Sequence, residues 1–150
     1  MAAAAIALVV RPEPEQRLLV AAAAAVDGDG ERGAAGIFGA LGVALGAFGA
    51  HALKARLTPE RLETFETGVR YQMYHALALA ATALALAQWP GASTLVLAGW
   101  LFVTGTILFS GSLYLLVITQ RRWLGAVTPF GGLAFIAGWA CLVLGALQAR

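Results

Sequence analysis

The residues best equipped for chemistry are two histidines, His51 and His75, and the polar run Arg70, Tyr71, Gln72, Tyr74 that leads into the second of them. Imidazole titrates near neutrality and ligates metals, guanidinium binds anions through a planar fork, and a phenol can donate or accept a hydrogen bond. Glu66 adds a carboxylate at i, i+4 ahead of Arg70, and Ser110, Ser112, Tyr114 and Thr128 add hydroxyls further along the chain. Tyr71 and His75 are also at i, i+4, as are Arg70 and Tyr74, so each pair shares a helix face. Zinc motifs use closely paired ligands, three or four in total, whereas the two histidines lie far apart, Cys141 is more distant still, and there is no HExxH. A bis-histidine haem needs only two ligands, and a Soret band in purified protein is the check on that minority reading. The sequence contains no GxSxG and no GxxxxGK[ST], and no carboxylates cluster in its apolar stretches. The expectation is therefore no enzyme, no catalytic residue, no metal and no cofactor.

The polar residues must be placed by elements of an unusual composition. Of 150 residues, 60% are hydrophobic and 12% charged, and the mean hydropathy is +0.78. Soluble domains carry about 25% charged residues, so this chain has too little polar surface to cover itself and lipid must do so. The net charge of +2 comes without any basic run interleaved with aromatics, which argues against nucleic-acid binding. The single cysteine, Cys141, excludes an intrachain disulfide.

Four apolar stretches approach the roughly 20 residues that a helix needs to cross a bilayer: 33–53, 69–89, 94–118 and 128–148. The expected fold is thus an all-α integral membrane protein of two helical hairpins. Residues 1–32 alternate short alanine patches with RPEPEQR and DGDGERG and read as a low-complexity, poorly ordered or loosely helical extension. In the first span Gly39, Gly42, Gly46 and Gly49 fall on one face, a pattern that lets another helix approach closely. Thr58 and Pro59 mark the second helix start as N-cap and N1, with Glu60 in the first turn. Leu62, Phe65, Val69 and Met73 then form an apolar stripe, with Glu63, Glu66 and Arg70 on a different face, so this helix begins as an amphipathic interfacial segment. A change of direction is expected at Gly68, and Glu66 with Arg70 has the favourable order for an ion pair.

Basic residues gather in the linkers 54–70 and 120–127. By the positive-inside rule both linkers face the cytoplasm and both termini lie outside. This topology brings His51, Glu66, Arg70, Tyr71, Tyr74, His75, Ser110, Ser112, Tyr114 and Thr128 to one depth near the cytoplasmic face. The leading reading of that cluster is a structural polar knot; a binding or conduction site is the alternative, because ionisable groups in spans are costly unless paired.

The segments GALGVALGAFGAHAL, ETGVRYQMYHALAL, LFSGSLYLL and TPFGGLAFIAGW, in that order, resemble the small multi-pass membrane proteins grouped as domain of unknown function four-two-three, which have a eukaryotic transmembrane relative. The resemblance covers about 33–150 and implies a multi-pass protein of the bacterial inner membrane without an established activity. Its characteristic positions coincide here with His51, Glu66, Arg70, Tyr71, Gln72, Tyr74, His75, Ser110, Gly111, Ser112, Tyr114, Thr128, Pro129 and Trp139. The expected role is a non-enzymatic packing or interaction module, surrounded by the lipid bilayer and joined to a second copy or another membrane protein through the glycine face of span one. A small transporter or channel with its mouth at the polar cluster is the competing expectation.

Overall fold

A computed structural model describes the backbone of residues 14–148 and the side chains from residue 30 onward. Helix α1 covers Pro14–Phe48 and runs into a π-helical turn, Gly49–Leu53. Helix α2 covers Pro59–Gln88, α3 Ser93–Thr119 and α4 Thr128–Gln148, with a 3-10 turn over Arg122–Ala126 between the last two. No strand occurs among the described residues.

The helix that carries the first apolar stretch starts well before residue 33. Alanine is the strongest helix former, and the alanine patch at 21–25 carries the backbone through DGDG into the glycine-rich segment without a break. The first thirteen residues of the expected extension, and the last two residues of the chain, lie outside the described residues.

At the start of α2, Thr58 is extended (φ −66°, ψ 155°) with Pro59 at N1, as expected, but its hydroxyl caps no helix amide. A backbone N–H, and then the Thr58 hydroxyl, hold the exposed Glu60 carboxyl below the ordinary glutamate range. A carboxylate depressed in the folded state stabilises the helix start above its unfolded value of about 4.3 and loses that effect as pH falls through the lower folded value. Thr58→Ala is expected to move the Glu60 titration upward, read by carboxyl NMR; an unchanged midpoint would remove the hydroxyl from the account.

Helix α2 is uninterrupted through Gly68. Gly68 is buried, and a Cβ on it would lie 2.8 Å from the Tyr114 ring; the missing side chain serves close approach of α3.

Neighbouring helices run antiparallel, which the contact register shows directly. Gly46 faces Val69 and Gly49 faces Phe65 across the α1–α2 seam. Gly105 and Phe135, Phe109 and Gly131, and Phe102 and Gly138 face one another between α3 and α4, one number rising as the other falls. Each helix packs chiefly on its sequence neighbours, with α2 and α3 central and α1 and α4 on the flanks; among the described residues no Cα atoms of the two flanking helices come within 8 Å of each other. The core is Ala78, Leu79, Ala98, Phe102 and Phe135. Outside it, Ile37, Val43, Leu84, Ile118, Leu133 and Ile136 are among many large apolar side chains left exposed.

Three stretches among the described residues are long and apolar enough to cross a membrane: Gly30–Leu53, Ser93–Thr119 and Arg122–Gln148. Helix α2 is not among them, because Tyr71, Gln72, Tyr74, His75 and Gln88 dilute its Ala/Leu run.

Candidate functional site

The polar residues of α2 are brought together with those of α3 and α4, and several of the bonds they make join two helices. Gln72, 4% exposed, is the hub. Its Nε2 donates to the Phe38 carbonyl of α1 (2.8 Å), and its Oε1 accepts from the Tyr114 hydroxyl of α3 (3.0 Å). One amide thereby ties three helices. One turn earlier, Ser110 Oγ donates to the Gly68 carbonyl (2.8 Å), a bond possible only because Gly68 lets α3 come close. Ser112 Oγ bonds Phe109 O (2.9 Å) and Thr128 Oγ1 (2.8 Å), holding α4 to α3 at the same depth. Nearer the linkers, Arg61 donates to the Val117 carbonyl.

His75, 5% exposed, is held from three sides. Its ring lies flat on Phe135 of α4, with centroids 3.4 Å apart and planes 4° apart. Its Nδ1 is 2.7 Å from the Tyr71 carbonyl, and its Nε2 is 3.3 Å from Trp139 Nε1. An indole N–H can only donate, so Nε2 must accept and the proton resides on Nδ1, which donates to Tyr71 O. Both nitrogens of the neutral ring are then used. A metal or haem iron would have to displace Trp139 to reach the Nε2 lone pair, and among the described residues no three His, Cys, Asp or Glu side chains stand together to hold a metal. Tyr71 extends the aromatic layer by stacking on Phe109, with centroids 4.4 Å apart.

Other expected members stay apart from this knot. His51 is exposed on the π turn and takes part in none of these bonds. Tyr74 is 58% exposed. Glu66 and Arg70 do not form the expected ion pair; Arg70 donates instead to Thr67 Oγ1 (3.2 Å), a short bond within its own turn. The glycine face of span one is also reassigned in part. Gly42, Gly46 and Gly49 are met by Met73, Val69 and Phe65 of the chain's own α2, and a Cβ on Gly39 would meet nothing within 4 Å. That stripe is spent on an intrachain contact.

Three features carried no weight in the sequence reading. Gly131, Gly138 and Gly145 repeat every seven residues on α4 and are all buried against α3; the spacing itself was the available signal. Phe135, on the same helix, stacks on His75 beside Trp139, of which the sequence marked only the position and not the contact. Glu31, inside the first apolar stretch, is buried with its carboxylate against Gly99 of α3; its place in DGDGERG concealed it.

His75→Phe keeps a flat ring against Phe135 but strands the Trp139 N–H. We expect a loss of about 0.5–2 kcal/mol in unfolding free energy with a changed Trp139 emission, checked by tryptophan fluorescence during denaturation in detergent. His75→Ala removes the stack as well and is expected to cost more.

The family described as "Protein of unknown function (DUF423)" matches residues 45–132. The chain is 47% identical over 108 residues to UPF0382 membrane protein YwdK of Bacillus subtilis, covering 72% of this chain and 88% of that one. It is 45% identical over 106 residues to UPF0382 membrane protein SH2409 of Staphylococcus haemolyticus, covering 69% and 84%. UPF0382 inner membrane protein YgdD of Escherichia coli K12 is 41% identical over 120 residues, with 77% and 88% covered. No solved structure matches the chain.

Proposed function

The chain belongs to this family of membrane proteins of unknown function, DUF423, and from that membership we propose that it is a four-span, non-enzymatic helical module of the bacterial inner membrane that works through its apolar exterior. The observation that carries the reading is the inward use of its polar groups. The Gln72 amide, both His75 nitrogens, and the Ser110, Ser112 and Tyr114 hydroxyls all bond to other parts of the same chain. Groups so engaged serve helix packing and are not free to bind substrate or shuttle protons. Helix α2 is taken as the fourth span despite its polar turns, because Gln72 and His75 are buried and paired and so carry little of the usual penalty. A relative named an inner membrane protein supports the location. The basic linkers are placed in the cytoplasm, with both termini outside.

Association is assigned to the exposed faces of the flanking helices, such as Leu133, Ile136 and Val143 on α4, since the glycine stripe of α1 is largely occupied. A photoreactive residue in place of Ile136 is expected to give a discrete protein adduct in native membranes. Lipid adducts alone would sink the association. The transporter reading is less favoured because the polar groups at its supposed mouth, Gln72, His75 and Tyr114, are engaged within the chain. Purified protein in liposomes is expected to pass no ions; a flux abolished by His75→Ala and spared by Leu84→Ala would restore that rival.

A further inference from the structure

Glu66 and Arg70 stand one turn apart on α2 beside its seam with α1, and both are exposed. They edge a groove of about 250 Å³ whose other walls are apolar: Gly46 and Gly49 from α1 and its π turn, Phe65 and Val69 from α2. Despite their favourable spacing the two charges do not pair. Arg70 gives one N–H to Thr67 Oγ1 within its own turn and keeps the rest of its donor fork, while Glu66 has no hydrogen bond or ion pair among the described residues. About one turn beyond Arg70 the seam closes, where Met73 covers Gly42. In the four-span placement this end of α2 is where the linker enters the membrane. Read from the linker inward, the order is carboxylate, then guanidinium about 6 Å deeper, then hydrocarbon.

We propose that this groove binds the headgroup of one phosphatidylethanolamine, its phosphate on Arg70 and its ammonium on Glu66, with the glycerol against Gly46 and Val69 and the acyl chains continuing over the lipid-facing exterior. The order of the charges selects this occupant. In a bilayer the ammonium of this lipid lies level with or outside its phosphate, and the phosphate lies outside the glycerol and the hydrocarbon, which matches Glu66, Arg70 and the apolar floor in turn. The guanidinium complements a phosphodiester, and the carboxylate complements the ammonium. Phosphatidylglycerol would offer Glu66 no cation. A second copy fits less well, because two chains inserted in the same orientation set each residue level with its twin, so that Glu66 would face Glu66 and Arg70 face Arg70. Size agrees, since a helix with side chains is about 10–12 Å across and could not enter a groove of this volume. This inference rests on the four-span reading, holds whichever side the linker faces, and is independent of the association assigned to α4.

The test uses full-length protein reconstituted in vesicles of equal parts phosphatidylethanolamine and phosphatidylglycerol, re-extracted in mild detergent and weighed intact by native mass spectrometry. Wild type is expected to retain one phospholipid per chain, with phosphatidylethanolamine preferred about two- to fivefold, the range of a partly exposed ion pair. Glu66→Gln should bring that preference to parity while retention persists, and Arg70→Gln should lower total retention by a similar factor. Glu66→Arg combined with Arg70→Glu keeps both charges but inverts their order, and should lose the preference. Both side chains are exposed, so the fold tolerates the exchange, and circular dichroism confirms that each variant is folded. Glu63→Gln, exposed and outside the groove, should match wild type. Equal retention of the two lipids by wild type overturns the proposal, as does an undiminished preference in Glu66→Gln or in the exchanged pair. So does a lipid-free dimer crosslinked through Glu66→Cys, which would make a second copy the occupant. In a Cys141→Ala background, Ala55→Cys and Ser93→Cys flank α2 and are labelled from opposite sides of sealed vesicles if that helix spans. That pattern without a lipid preference fails the groove assignment alone; labelling of both from one side fails the four-span reading and the groove with it.

Discussion

Gly131→Ala is expected to destabilise the protein far more than Gly132→Ala, although the two positions are adjacent on the same helix. A Cβ on Gly131 would lie 2.5 Å from the Phe109 backbone nitrogen and 2.8 Å from its Cα, whereas on Gly132 the nearest atom is 3.9 Å away. Backbone in the middle of α3 cannot swing aside as a side-chain tip can, so α4 must move outward. That displacement would disturb the Ser112–Thr128 bond and the seat of Phe135 on His75. Overpacking costs about 1–3 kcal/mol, and a backbone clash belongs at or above the upper end. Gly132→Ala has ordinary contact distances and gains helix propensity of about 1 kcal/mol, so it should be neutral or mildly stabilising. Unfolding in mixed micelles followed by circular dichroism measures both. Equal midpoints for the two variants would show that the α3–α4 seam is looser than described.

Gln72→Leu is the second large expectation. It retains most of the side-chain volume but deletes both interhelical bonds, to Phe38 O and from Tyr114. Hydrogen bonds between membrane helices average about 0.6 kcal/mol and reach about 1.7, and a stranded buried hydroxyl adds its own desolvation cost. The Phe38 carbonyl suffers less, because the helix still supplies it with an amide. A loss of about 2 kcal/mol is expected, with Tyr114→Phe costing less. The decisive measurement is the double variant. If Tyr114 and Gln72 act through one bond, Gln72→Leu with Tyr114→Phe costs less than the two single losses together; strict additivity would remove the bond from the account.

Which parts of this architecture were legible in the sequence follows from how local each signal is. Helix limits at Pro59, Ser93 and Thr128 are written in proline, the Pro-Gly turn and runs of apolar residues, all short-range chemistry. Alternating helix direction, a global rule that needs no coordinates, was the basis for grouping His75, Ser110, Ser112, Tyr114 and Thr128 with His51 and Tyr74; Ser112 bonds Thr128, while His51 is exposed and Tyr74 is largely so. Partner choice was another matter. Gly42, Gly46 and Gly49 mark a face that admits a close neighbour, but small residues look the same whether the neighbour is α2 or a second chain. Arg70 was matched to Glu66 by spacing, yet on an exposed face such a pair gains little, and Thr67 lies nearer. The position of His75 was foreseen; its environment was not, because Phe135 and Trp139 approach from a helix sixty residues away and aromatic residues in an apolar span carry no directional mark.

The order in which the helices touch also bears on how the protein is made. Because each packs on the one before it, the α1–α2 hairpin can assemble while α3 is still being synthesised, with Gln72 already joined to the Phe38 carbonyl. The other half of that amide waits for Tyr114, and His75 waits longer still, for Phe135 and Trp139. Local contacts of this kind favour rapid assembly. Each later helix brings the partner that a polar group on an earlier one lacks, so the bonds that fasten the finished protein can be completed only in the order of the chain.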